Sequence, residues 1–155
     1  MYSARRIGGI ALSLTLAISA TALAGPLGGR TYEGRTRSSG VDSEGHSHRL
    51  SAAAGAITLR VSSNGRSVTV RFPSSHPLLY CNTTEQLHSQ STKAASISGG
   101  GTFKASINQR FSAGPGASAI VQVVSGRFSG GSVSGTVRTE AGECGGSTSF
   151  SARAN

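Results

Sequence analysis

Between Ile57 and Phe72 the chain alternates apolar and polar residues on both sides of Asn64-Gly65. A period of two places every second side chain on one face of a strand, and Asn-Gly is a preferred pair for a tight type I′ turn. The expected hairpin sets Val61 opposite Val68, Leu59 opposite Val70 and Ile57 opposite Phe72, with all six on the buried face. A slip of one residue would turn the whole set out to water, so alternation and turn chemistry together specify the register.

The same reading extends along the chain. Thr102 to Phe111 forms a strand with Phe103, Ala105, Ile107, Gln109 and Phe111 on one face. Ala119 to Ser129 follows it through the turn-rich Ala113-Gly114-Pro115-Gly116. Gly130-Gly131 then supports a second hairpin that pairs Phe128 with Val133, Gly126 with Gly135 and Val124 with Val137. Weaker strands are predicted at Thr31 to Thr36, Leu78 to Cys81, Ala94 to Ile97 and Thr148 to Ala152. Two polar stretches, Arg37 to Gly55 and Asn82 to Lys93, read as long loops or insertions. With 22 glycines, no Trp and no convincing amphipathic helix, the expected fold is an all-β, antiparallel sandwich or barrel of about 7–8 strands.

Residues 1–24 have a different character. Arg5-Arg6 precedes the apolar run Ile7 to Ile18, and Ala22-Leu23-Ala24 has the small-x-small form of a cleavage site. This is the order of a secretory signal peptide, interrupted by too many Gly, Ser and Thr residues for a good membrane anchor. The expected product is a single exported domain, 25–155, with 37–55 as its polar insertion and no transmembrane span after cleavage. Outside the cytosol Cys81 and Cys144, the only cysteines, are expected to form one disulfide. Closing that loop of roughly 60 residues would stabilise the fold by about 4 kcal/mol.

The formal charge is +9. Removing the two charges of Arg5 and Arg6 leaves +7. Such a domain is suited to an anionic envelope polymer or polysaccharide. No run of consecutive basic residues marks a specific nucleic-acid tract, and the absence of Trp removes the usual stacking platform. Arg60 and Arg71 on the outward face of the first hairpin, with Arg127 and Arg138 on the second, are the candidate binding residues, because guanidinium groups engage oxyanions in bidentate fashion.

Thr31-Tyr32-Glu33-Gly34-Arg35-Thr36, Gly101-Thr102-Phe103, Gly126-Arg127-Phe128, Gly135-Thr136-Val137-Arg138, Cys144 and Phe150-Ser151-Ala152, together with the alternating hairpin, resemble a group of small exported all-β proteins of bacteria. The similarity covers most of the chain after residue 24. It implies the β fold and supplies no site. The stretch 37–55 is longer than the short connection that the pattern implies.

Catalytic chemistry finds little to work with. Gly131-Ser132-Val133-Ser134-Gly135 has valine where a nucleophile elbow needs serine. The carboxylates after residue 24 are Glu33, Asp42, Glu44, Glu85, Glu140 and Glu143, and none forms an evident acid–base pair. No catalytic residue and no cofactor is assigned. One cluster has metal-ligating side chains: if extended, Asp42, Glu44, His46 and His48 project to one side, a donor set suited to zinc, copper or nickel. The favoured function is a non-catalytic binding or interaction module of the cell envelope or extracellular space. The alternatives are a small secreted hydrolase with a spatially assembled site, or a purely structural envelope protein.

Overall fold

A computed structural model describes residues 25–37, 39–42, 44–49, 55–72, 76–80, 83–87, 90–111, 118–141 and 144–155. The leader expected at 1–24 lies outside the described residues. So does Cys81, and the side chain of Cys144 is likewise undescribed, so the expected disulfide also falls outside. No helix among the described residues is long and apolar enough to cross a membrane.

The described strands are β1 (Thr31–Thr36), β2 (Ser39–Asp42), β3 (Ser47–Arg49), β4 (Ala56–Val61), β5 (Ser67–Phe72), β6 (His76–Tyr80), β7 (Thr83–Leu87), β8 (Gln90–Ser91), β9 (Ala95–Ser96), β10 (Thr102–Phe111), β11 (Ser118–Ser129), β12 (Ser132–Ala141) and β13 (Cys144–Ala154). Neighbours run β10-β11-β12-β13-β1-β4-β5, with β8 and β9 on the far edge of β5. Ile97, just past β9, bridges antiparallel to Phe103 of β10 and brings the sheet back to its start. The choice between sandwich and barrel is thereby decided: the sheet is a nearly closed, eight-stranded antiparallel barrel. Apart from two excursions, each strand is followed by its neighbour, and the last strand meets the first through Tyr32 opposite Ala154 and Thr36 opposite Phe150.

Both predicted hairpin registers are present. Val61 faces Val68 and Leu59 faces Val70, while Phe128 faces Val133, Gly126 faces Gly135 and Val124 faces Val137. The first turn differs from the type I′ expectation. Gly65 N–H donates to Ser62 O at 2.9 Å, so the turn is centred one residue earlier, on Ser63-Asn64, and Gly65 takes the left-handed conformation (φ 71°). The cause lies in the Asn64 side chain: its Oδ1 accepts from Arg66 N–H at 3.1 Å and from the Ser62 hydroxyl at 2.7 Å. That leaves a four-residue loop within an unchanged strand register.

The inward phase of each strand lines the barrel interior. Tyr32, Ile57, Leu59, Val61, Val68, Val70, Phe72, Phe103, Val124, Phe128, Val133, Val137 and Phe150 are all buried. One hydrogen-bonded row reads Phe103, Gly126, Gly135, Phe150, Thr36 from β10 to β1. Large residues at its flanks lean over the two glycines. A Cβ at Gly126 would stand 2.8 Å from the Phe103 ring, and one at Gly135 would run into the Ser125 carbonyl oxygen of β11 and stand 2.8 Å from the Phe150 ring. Glycine at these places lets the strands bend tightly while the rings occupy the space left.

The two stretches read as loops carry strands of their own. Within 37–55, β2 and β3 form a hairpin whose β2 pairs with the start of β13 through Gly146–Asp42 and Ser147–Val41. Alternation was hidden there because Ser, Gly and His occupy both phases. Within 82–93, β7 pairs with β6, which falls on the strand expected at Leu78 to Cys81, to form a second hairpin between β5 and β8. It leaves the end of β5 and lies against β12 and β13, on the opposite side of the barrel, and so spans the mouth. Its base is closed by Phe72 opposite Gln90. Beyond it the register shifts by one residue between β8 and β9, and the Thr92 hydroxyl at this irregularity accepts from Val70 N–H at 3.0 Å.

The barrel therefore has a turn end, with the connections after β4, β9 and β11, and a loop end, with both inserted hairpins.

Candidate functional site

On the outer wall, β12, β13 and β1 present small or charged residues. Ser132 is opposite Arg153, Ser134 opposite Ser151, Arg153 opposite Glu33 and Ser151 opposite Arg35. Three serines in succession leave a depression. A groove of about 520 Å³ lies there, lined by Glu33, Gly34, Arg35, Ser132, Val133, Ser134, Ser151, Ala152 and Arg153. Val133 and Ala152 are buried on the inner face, so the hydroxyls, guanidiniums and one carboxylate are what a ligand would meet. Arg35 and Arg153 are exposed, and two guanidiniums flanking one carboxylate give the groove a formal charge of +1.

The four arginines selected from sequence are all exposed but fall into two groups. Arg71 is opposite Thr58, and Arg60, two residues on along β4, is opposite Thr69, so Arg60 and Arg71 are diagonal neighbours. They continue the wall that begins with Arg153 and Arg35, since β4 pairs with β1. Arg127 is on β11, at the turn end. Arg138 is on β12, where its Nε donates to Glu140 Oε1 at 3.0 Å. β13 and β1 separate this pair from Arg60 and Arg71. Arg35 and Arg153 did have a sequence signal, because each alternates with a buried residue, Thr36 and Ala152. It was weak because Gly34 and Ser151 blur the alternation.

The Asp42 to His48 segment does not take the extended form that would project the four side chains to one side but turns, with Asp42 N–H bonded to His46 O at 3.0 Å and Gly45 at φ 89°. Folding back gathers the side chains around one carboxylate. Asp42 Oδ1 accepts from Glu44 N–H at 3.0 Å and His46 N–H at 2.8 Å, and Oδ2 lies 2.7 Å from His48 Nε2. His46 Nδ1 is 3.4 Å from the same Oδ2 and 3.5 Å from Glu44 Oε2. The His48 bond, against a smaller opposing effect of burial and with help from the two backbone N–H groups, lowers the Asp42 pKa to about 2. Among the described residues no group of three His, Cys, Asp or Glu side chains has an arrangement fit to hold a metal ion. Asp42 uses its oxygens to shape the hairpin.

The barrel interior holds a third polar group that sequence reasoning missed. Thr36, Thr92, Gln122 and Thr139 are buried. Thr36 Oγ1 and Gln122 Nε2 have no hydrogen-bond partner. Leaving such atoms unpaired costs about 1–3 kcal/mol each. The signal for Gln122 was its phase: it aligns with Val124, Gly126 and Phe128, with Thr139 opposite on β12.

No known protein family matches the sequence, and no curated protein matches it.

Proposed function

We propose that this chain is an exported, non-catalytic binding module that holds an acidic polysaccharide of the cell envelope or extracellular space on the outer wall of its barrel. The groove over β12, β13 and β1 carries the reading: Arg35 and Arg153 flank Glu33 beside three serine hydroxyls, and Arg60 and Arg71 extend the same wall. Guanidinium forks suit carboxylate or sulfate groups, whereas serine and glutamate suit sugar hydroxyls. Glu33 repels an unbroken row of phosphates, so spaced acid groups on a sugar chain fit better than polyphosphate. Length along the wall favours a polymer over a single sugar.

The test is salt elution from an immobilised polyuronate and from an immobilised polyphosphate. The double variant Arg35→Gln, Arg153→Gln should leave the polyuronate matrix at clearly lower salt than Arg127→Gln, Arg138→Gln, which removes the same charge elsewhere. Exposed charges are screened within about 10 Å at 0.1 M ionic strength, so the retention itself should be salt-sensitive. Equal shifts for the two variants, or tighter retention on polyphosphate, would refute the groove as a polysaccharide site.

A further inference from the structure

The interior of the barrel at its loop end points to a second site, independent of the outer groove. We infer that Gln122 and Thr36 bind a small uncharged molecule through an oxygen that accepts hydrogen bonds.

Gln122 is 1% exposed and Thr36 is 7% exposed, yet Gln122 Nε2 and Thr36 Oγ1 lack partners. Buried polar groups in folded proteins are nearly always paired, so each exception asks for an explanation. The two atoms belong to one layer of the barrel. Going round the sheet from Phe103 through Gly126, Gly135 and Phe150 to Thr36, the hydrogen-bonded row climbs toward the loop end, because closure at Ile97–Phe103 forces the strands to tilt. At about 4.8 Å between strands and a tilt near 40°, three strand steps raise Thr36 by roughly 9 Å above Gly126. Gln122 is four residues nearer the loop end than Gly126 on β11, which raises it by roughly 10 Å. Both side chains therefore point inward at the same height from different walls.

Chemistry narrows the occupant. Gln122 offers two N–H donors and Thr36 one hydroxyl, a pair that fits a carbonyl oxygen. No Asp, Glu, Lys or Arg is among the buried described residues, so a charged ligand would find no counter-charge. Ile57, Val137 and Phe150 belong to the buried apolar core and would border an apolar body. An eight-stranded barrel has an interior wide enough for side chains or for one small ligand, and the β6–β7 hairpin spanning the mouth shields that end. The ligand class is a short ketone, ester or amide with a hydrocarbon tail.

Methyl NMR on the full domain can test this with three probes: 2-hexanone, its isostere 2-methyl-1-hexene, in which CH2 replaces the carbonyl oxygen, and hexanoate. The expected result is saturable shifting of the Ile57 and Val137 methyls by 2-hexanone. The alkene should bind about tenfold more weakly, the change expected from a lost hydrogen bond, and the carboxylate at least as much more weakly, because its charge would be buried with no counter-charge. Gln122→Leu and Thr36→Val should each weaken the ketone by a similar factor. Thr36→Val keeps the side-chain shape, so it remains informative if the first variant misfolds. Failure of 2-hexanone to saturate, equal binding of the alkene, or full affinity in a folded Thr36→Val together with Gln122→Leu would overturn the site. None of these outcomes depends on polysaccharide retention by the outer wall.

Discussion

At the turn end Tyr32, Phe103 and Phe128 pack ring against ring, whereas at the loop end Thr36, Thr92, Gln122 and Thr139 occupy the same inward phase. The Tyr32 and Phe128 centroids are 5.0 Å apart at 68°, and those of Phe103 and Phe128 are 5.4 Å apart. The one polar atom there is fully used: Tyr32 Oη accepts from Leu27 N–H at 2.8 Å and donates to Gly130 O at 2.8 Å. Among the described residues the loop end keeps two buried side-chain polar atoms without partners. One end spends its interior on cohesion, and the other gives up cohesion for polar groups that a ligand could use. The contrast separates where stability resides from where interior binding is proposed.

The largest effect should come from Phe128→Ala, which empties the centre of the aromatic group. A loss of about 3–5 kcal/mol is expected in denaturant unfolding, as for other large-to-small core changes. Tyr32→Phe removes only the hydroxyl but strands Leu27 N–H and Gly130 O. It should cost about 1–2 kcal/mol by the same measurement. Gln122→Leu should act in the opposite direction and raise stability by about 1 kcal/mol, because it removes an unpaired buried amide at similar volume. A loss as large as that of Phe128→Ala would erase the distinction between the ends.

The smallest effect concerns the β2–β3 hairpin at the loop end. The folded pKa of Asp42 is lowered to about 2, below the ordinary carboxylate value, so the stability it contributes is present above about pH 4 and fades as pH falls toward 2. A carboxyl NMR titration should show the midpoint near 2, and His48→Ala should return it toward the ordinary range. Only amides of the β2–β3 hairpin should exchange faster across that window. Loss of protection throughout the barrel would mean that the hairpin is not an independent attachment.

What could be read from sequence follows the same division. Strands with clean alternation, β4, β5, β10 and the β11–β12 pair, were legible with their partners, because one misplaced residue would expose the whole buried set. Gly126 and Gly135 were legible as a facing pair, yet their part in closing the barrel was not. That depends on Phe103 and Phe150, which reach over them from the next strands. The β2–β3 hairpin and β7 escaped because their composition offers no clean apolar phase, whereas β6 falls on the strand expected at Leu78 to Cys81. Arg60 and Arg71 could be placed together from the hairpin alone. Their separation from Arg127 and Arg138 could not, since it depends on β13 and β1 inserting between them. Gln122 was visible as an inward-phase residue, but whether its amide would find a partner depends on the opposite wall.

The pairing of β1 with β13 also sets the order in which this barrel can be assembled. A chain emerging from its amino end can zip β4 to β5 and later β10 to β11 by local turns. Until β13 arrives, however, β1 keeps one bare side, and β12 keeps another. The intermediate has two unpaired edges far apart in sequence, and joining them requires closing a very long loop, a slow step that follows rapid hairpin formation. Bare edges invite pairing with other chains. The charges of Glu33, Arg35 and Arg153 along this seam then serve as gatekeepers against such errors before the seam shuts.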